Sequence, residues 1–341
     1  NFFMLKIKER IMKKLVIGTI AAAMLATSGL AADYTMKVSH VVSASTPKGK
    51  AADFFEKRVE ELTAGKVDVQ VFPNSQLYGD GEEMKALVMN NVQLIMPSLS
   101  KFTSVAPQMQ LFDLPFIFRD KAHLFNVMDG EVGAALKSKI DEKRQMIALD
   151  YWDAGFKHLS SSTKALVKPE DAAGVKFRIQ SSKVLEAQFK SVGGNPQVLP
   201  FSEVYSALQQ GVVDGTENPL SNFYTKKFHE VQSSLTLSQH GYLGYLVVMN
   251  EQFWNKLPKD LQANVAQAMK EATKLEREES AKEDALMMES LTKYAKDTNK
   301  LQIIELTDAQ KQEWKKSMSV VYPQFYDVIG EDLIKKAIDT K

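Results

Sequence analysis

The chain has 341 residues, 43 Lys and Arg against 42 Asp and Glu, 44% hydrophobic residues and no cysteine. It is long enough for one large or two medium domains, and the missing thiol excludes disulfides, thiol catalysis, cysteinyl metal sites and a lipid-modified N-terminal cysteine. The near balance of charge, without a dense basic block interleaved with aromatics, argues against a nucleic-acid partner.

Residues 12–32 read MKKLVIGTIAAAMLATSGLAA. Two lysines, an uncharged run and a small-residue ending are the three zones of a secretory signal peptide. Gly29 and Ala31 suit a small-x-small cleavage site, which predicts a signal peptide over 12–31 and a mature start at Ala32. Residues 1–11 read as upstream or expression-derived sequence before a start at Met12. The apolar run is short for a membrane span and leads straight into polar sequence, and no second run approaches 18 residues. A soluble exported protein of the periplasm is therefore expected. The first 31 residues carry five Lys or Arg and one Glu, so the remainder, 38 basic against 41 acidic, has a formal charge of −3.

YTMKVSHV (34–41) reads as a first strand. In STPKG (45–49), Thr46 suits a helix N-cap and Pro47 its first position. Ala51, Phe54, Phe55, Val59 and Leu62 fall on one helical face, and Gly65 fits the end. VDVQVF (67–72) alternates with period two, GEEMKALVMNN (81–91) reads as a helix, and QLIMPSL (93–99) as a short buried strand. The rhythm is βαβ. It returns with strands at 145–152, 174–180 and 197–201, and helices near 183–192 and at 202–211. Pro219 marks a turn or helix start, and YLVVMN (245–250) a returning strand. From Asp260 to Asp297 there are 38 residues without Pro or Gly. As one helix they would be about 57 Å long. EREESAKED (276–284) interrupts the apolar positions, so a spine across two lobes fits better than a dimeric zipper or a broken helix. LTDAQ (306–310) has a capping box for a last helix. The predicted fold is α/β, with two lobes and one long helix touching both.

Catalytic and cofactor signatures are missing. His40, His123, His158, His229 and His240 stand singly and form no HExxH motif, and there is no GxSxG elbow, Walker A loop or GxGxxG fingerprint. No metal, cofactor or catalytic residue is expected. Glu82 and Glu83 read as solvated helix residues. Arg178 shares one face of its strand with Lys176 and Gln180, opposite Val175, Phe177 and Ile179. Composition favours a surface or structural arginine there, but a guanidinium held on a strand also offers a two-pronged match to a carboxylate. Asn218 and Asn222, in a polar stretch after a helix, can donate and accept hydrogen bonds, or serve as turn and cap residues. Lys48 lies in a first helical turn, where an anionic partner would suit it. Lys157 follows a strand end, where open α/β sheets present ligand residues.

SHVVSASTPKGKAADFF (39–55), VFPNSQLYGD (71–80), FDLPFIF (112–118), KFRIQSSKVLEAQF (176–189) and above all LPFSEVYSALQQGVVDGTENPLSNFY (199–224) resemble the extracytoplasmic solute receptors of TRAP transporters. The resemblance is to the DctP type, receptors for C4-dicarboxylates, over nearly all of 32–335. It implies a non-catalytic, monomeric, two-lobed periplasmic binding protein. Such a receptor closes on malate, fumarate or succinate and delivers it to a sodium-coupled permease of small and large integral subunits. The implied lobes are 32–154 with 244–283, and 155–243 with 284–341.

By that resemblance Arg178 clamps a ligand carboxylate, Asn218 accompanies it, and Phe201 forms an aromatic wall. Lys157 stands where sialic-acid receptors of the family have a second arginine, and Ser98 where they have a glutamate. Both departures weaken a sialic-acid reading and suit a smaller dianion, whose distal carboxylate Lys48 and Lys101 could serve. Arg178→Ala is expected to weaken binding severely and, if the side chain faces the cleft, to leave folding stability nearly unchanged. The alternative ligands are a keto acid, a sugar acid or a cyclic amide acid. An exported hydrolase would need an assembled nucleophile and base, and a structural protein an exposed apolar seam on the long helix.

Overall fold

The computed structural model describes residues 32–143 and 145–341; the expected signal peptide at 12–31 and the upstream residues 1–11 lie outside them. The chain begins with β1 (Tyr34–Ser39), α1 (Pro47–Leu62), β2 (Val67–Phe72), α2 (Glu83–Val88) and β3 (Leu94–Ile95). Thr46 is the N-cap of α1, its Oγ1 accepting the Gly49 N–H at 3.2 Å, with Pro47 in the first turn. Helix α2 is shorter than the pattern over 81–91 suggests, because the chain leaves it through Asn90 in the left-handed region (φ +57°).

Helices α3 (Lys121–Asp129) and α4 (Glu131–Asp141) precede the long strand β4 (Met146–Ser161). There follow β5 (Lys176–Ile179), α5 (Lys183–Ser191), β6 (Asn195–Val198), α6 (Val204–Gln209), β7 (Gly215–Asn218) and α7 (Leu220–Thr225). Strand β8 (Ser234–Asn250) returns along β4. The chain closes with α8 (Glu251–Lys256), α9 (Lys259–Thr298), β9 (Gln302–Glu305), α10 (Asp308–Ser319) and α11 (Glu331–Asp339).

The nine strands among the described residues form one sheet, ordered β2-β1-β3-β8-β4-β7-β5-β6, with β9 also on β8. The antiparallel β4–β8 pair is the connection between two parallel halves, β2-β1-β3 on one side and β7-β5-β6 on the other. Its register shifts between Ala148 and Asp150, Asp153 and Gly155, and Lys157 and Leu159. Each bulge turns the strand and re-aims the side chains beyond it.

Helix α9 is continuous over 40 residues, about 60 Å. Its first half packs Leu261, Val265, Ala268 and Ala272 in one core with Phe55, Val59 and Trp152, whereas Leu291 joins a second core with Val204, Phe223 and Phe228. Between them the helix buries polar groups: Glu276 Oε2 accepts the Asp153 N–H at 2.9 Å and Ser280 Oγ donates to Asp153 Oδ2 at 2.7 Å. The polar interruption in the sequence is therefore the crossing of the helix over the bulged strand. The Thr307–Gln310 capping box at the start of α10 is formed in both directions.

The C-terminal end packs on α3 and α4. Val321, Phe325, Ile329, Ile334 and Ala337 share a core with Leu124, Val127 and Leu136 of α3 and α4. Arg119 Nη1 and Nη2 donate to the carbonyls of Ile338 and Thr340 at 2.8 and 2.6 Å, tying the chain end to the segment before α3.

Candidate functional site

Where the two halves of the sheet face each other, a narrow cavity of about 20 Å³ is lined by Asp80, Glu83, Ser98, Lys101, Arg178, Gln180, Phe201, Asn218, Asn222 and Tyr245, with Val41, Val42, Pro97 and Leu243 as its apolar lining. Local geometry explains the convergence. Arg178 on β5 is in register with Thr216 on β7, and Asn218 lies two residues further along β7, so all three point to one face. Gly215 permits that pairing, since a Cβ there would come 2.3 Å from the Ser160 carbonyl oxygen on β4. Pro219 then starts α7, and the first turns of that helix bring in Asn222.

Arg178 is 2% exposed. Its Nε and Nη2 donate to the Leu199 carbonyl at 3.0 and 2.8 Å, and the guanidinium lies 5.6 Å from the Phe201 ring centre. Burial lowers its pKa to about 10 against the pull of Asp80 and Glu217, so it is charged at neutral pH. Asn218 Nδ2 donates to Thr216 Oγ1 at 2.9 Å.

From the other side, Lys101 Nζ is 2.8 Å from Asp80 Oδ2, which is also 3.9 Å from Arg178 Nη2. Asp80 Oδ1 accepts the Phe201 N–H at 3.0 Å. Burial pushes the Asp80 carboxyl up, but Lys101 and the hydrogen bonds outweigh it and hold the pKa below its ordinary value. Ser98 Oγ donates to Gln180 Oε1 at 3.1 Å. Residues 80–101 and 178–201 thus meet through polar contacts around the cavity.

Six of the eight residues singled out from the sequence line this space: Arg178, Asn218, Phe201, Ser98, Lys101 and Asn222. Lys157 and Lys48 do not. Lys157 is 1% exposed, with Nζ 2.7 Å from Glu217 Oε1. Glu217 is on the face of β7 opposite Thr216 and Asn218, and its second oxygen pairs with His240 Nε2 at 2.9 Å. Lys157 is therefore held in a buried ion pair.

Lys48 is 2% exposed, donates to the Met96 carbonyl at 3.0 Å and stands 3.6 Å over the Tyr245 ring, behind the wall. Burial lowers its pKa to about 7. Among the described residues no group of His, Cys, Asp and Glu could hold a metal. A larger groove lined by Phe116, Arg119, Lys121, Gln239, Asp284 and Lys315 includes none of the eight.

The model of bacterial extracellular solute-binding proteins, family 7 (DctP), matches residues 38–328. The chain belongs to this family. It is 44% identical over 327 residues, 96% of both chains, to the C4-dicarboxylate-binding periplasmic protein DctP of Rhodobacter capsulatus. It is 69% identical, with a TM-score of 0.89, to a TRAP periplasmic solute binding protein of Sulfurospirillum deleyianum solved with bound succinate, covering 91% of this chain and all of that one. A Shewanella oneidensis protein of the same description, also with bound succinate, is 40% identical at a TM-score of 0.87, with coverage of 90% and 99%.

In this DctP-family chain, sequence reading missed Asp80, Glu83 and Tyr245 as cavity residues. Asp80 ends VFPNSQLYGD, but its sequence neighbours do not reveal that it faces Arg178. Glu83 reads as half of an exposed acidic pair, and Glu82 is indeed exposed, whereas Glu83 is 1% exposed. Gln180 was visible, through its alternation with Arg178.

Proposed function

We propose that this chain is the periplasmic receptor for C4-dicarboxylates such as succinate, fumarate and malate, binding them reversibly without chemistry and delivering them to a TRAP permease. The carrying observation is the convergence of Arg178, Lys101, Asn218, Asn222, Phe201 and Ser98 on one cavity between the halves of the sheet. The succinate-bound relative at 69% identity supports the same ligand class. With Nε and one Nη2 hydrogen on Leu199, Arg178 offers a carboxylate its Nη1–Nη2 edge, a parallel pair of charge-assisted hydrogen bonds. Asn218 and Asn222 add neutral hydrogen bonds. Lys101 and Ser98 meet the distal carboxylate from the opposite side. Two anchored ends make ligand length a ruler: a longer diacid props the lobes apart, and a monoacid leaves a cation unmatched.

The lobes divide as 32–154 with 244–283 and 155–243 with 284–341, the last residues of the chain packing on α3 and α4. The receptor acts as a monomer and engages small and large integral permease subunits in its closed form. Calorimetric titration of the ligand-stripped mature protein with succinate, fumarate and malate, beside pyruvate and sialic acid, tests the reading. Micromolar or tighter binding confined to the diacids is expected. Silence toward every diacid in folded protein would overturn the ligand class and leave the family standing.

A further inference from the structure

Besides Tyr245, four ionisable residues line the cavity: Asp80, Glu83, Lys101 and Arg178. Asp80 is matched by both cations, at 2.8 Å to Lys101 and 3.9 Å to Arg178. Glu83 has no ion pair within 4.0 Å among the described residues, and its hydrogen bond is a long one, 3.5 Å from Ser39 Oγ to Oε1. A C4-diacid in the cavity brings two more carboxylates. Asp80 and the two ligand groups already outnumber Arg178 and Lys101, the two cations that line the cavity. A charged Glu83 would be a fourth negative charge, enclosed and without a cation of its own, which burial in low dielectric strongly disfavours.

We propose that Glu83 is a specificity-determining residue of this cavity, facing a bound diacid as the neutral carboxylic acid, so that diacid binding is linked to one proton held on Glu83. The inference rests on the dicarboxylate reading of the site. Oε1 accepts from Ser39, so the proton is on Oε2, where it supplies an O–H donor to the ligand. No bond is made or broken.

The groups around Glu83 agree. Burial raises its pKa to about 8, with Asp80 adding to the rise and Lys48, Lys101 and the Ser39 hydroxyl opposing it. His40, next to Ser39, is buried, and burial first, then Lys48 and Lys226, lowers it to about 3 against the Val42 backbone, so it is neutral. Tyr245 of β8 has its hydroxyl raised far out of range by burial, and Arg178 of β5 stays charged. On α2 itself, Glu82 and Lys85 point outward. Lys48 of α1 is the one other neighbour that titrates near neutrality. A dianion favours the protonated form of both groups, so the contribution of Glu83 must be separated from that of Lys48.

The test is succinate affinity by calorimetry from about pH 6.5 to about pH 9.5 in wild type and Glu83→Gln. Above about pH 8, wild-type affinity is expected to fall more steeply than that of Glu83→Gln, the difference approaching tenfold per pH unit for one linked proton. Titrations in buffers of different ionisation heat should show correspondingly more proton uptake by wild type. Equal slopes, or a flat wild-type profile, overturn the proposal. If Glu83→Gln does not fold, Lys48→Met decides. The fall persists and moves to higher pH when Glu83 is the titrating group, and vanishes when Lys48 is. No succinate binding even at about pH 6.5 in folded wild type would instead overturn the dicarboxylate reading on which the proposal stands.

Discussion

Lys157 Nζ lies 2.7 Å from Glu217 Oε1 with both side chains 2% exposed, so the cation expected at the ligand is bound to a carboxylate inside the sheet. The second Glu217 oxygen accepts from His240 Nε2 at 2.9 Å, and His240 Nδ1 meets Ser238 Oγ at 2.8 Å. Burial raises the Glu217 carboxyl, but Lys157 and His240 outweigh it and hold the pKa below its usual value. Lys157→Met is expected to cost about 3–5 kcal/mol of folding stability, because it leaves a buried carboxylate without its cation. Succinate affinity of the folded variant should stay near that of wild type. Urea unfolding and calorimetry check both; severe loss of affinity with unchanged stability would return Lys157 to the ligand. The depressed Glu217 contributes stability that is complete above the unfolded carboxylate range and lost as pH falls through its lower native value. Glu217→Gln should therefore flatten the acid limb of the stability curve.

Arg178→Ala is expected to weaken succinate binding about 100-fold or more, since a two-pronged charge-assisted contact and a positive charge vanish together. The expectation of an unchanged fold needs revision. Arg178 donates twice to the Leu199 carbonyl and is 2% exposed, so its removal takes both donors from that part-buried acceptor. A loss of about 1–3 kcal/mol is expected. Arg178→Lys should recover part of the stability and little of the affinity, because an ammonium lacks the planar fork. Thermal unfolding beside calorimetry separates the two effects.

Asp80 joins the parts of the chain that enclose the cavity: one oxygen pairs with Lys101, and the other accepts the Phe201 N–H at 3.0 Å. Asp80→Ala should leave Lys101 without orientation and remove one of the links between the lobes. The expected results are a larger radius of gyration for the ligand-free protein in solution scattering and a weaker succinate affinity, by roughly tenfold for one lost charged contact. If affinity instead rises, Asp80 competes with the ligand for Lys101 and Arg178 rather than holding the lobes together.

Period-two alternation was enough to put Arg178 and Gln180 on one face, and a run of helix formers without Pro or Gly was enough for α9. Lys157 lies away from the cavity for a definite reason. The sequence puts it after a strand end at 152, whereas β4 runs on through it to Ser161 and pairs it with Gly241 of β8. Strand β8 was seen only as its apolar end, 245–250, because SLTLSQHGYLG carries polar residues and glycines that become buried only through pairing with β4. Glu83 and Asp80 carry no local signal. Their environment is made by α1, β1, β5 and the 99–102 turn, which are distant in sequence and meet only in the fold.

Lys48 separates stability from function most sharply. Its amine is buried under the Tyr245 ring, and burial takes its pKa from 10.5 to about 7, with Glu83 and Glu276 opposing. The unfolded chain keeps a proton that the native state tends to release. The penalty for charging Lys48 thus builds as pH falls from about 10.5 to about 7, and is fully present below that. Lys48→Met removes the penalty and fills the same space. Its melting temperature should equal or exceed that of wild type at neutral pH, with the largest gain in mildly acidic buffer and none near pH 10. Ligand binding should respond in the opposite sense, because a dianion in the cavity favours the charged amine. A fall in succinate affinity of roughly tenfold is expected for the lost charge. Differential scanning calorimetry across pH, paired with succinate titrations, tests both halves. A destabilised variant with wild-type affinity would make Lys48 a structural residue alone.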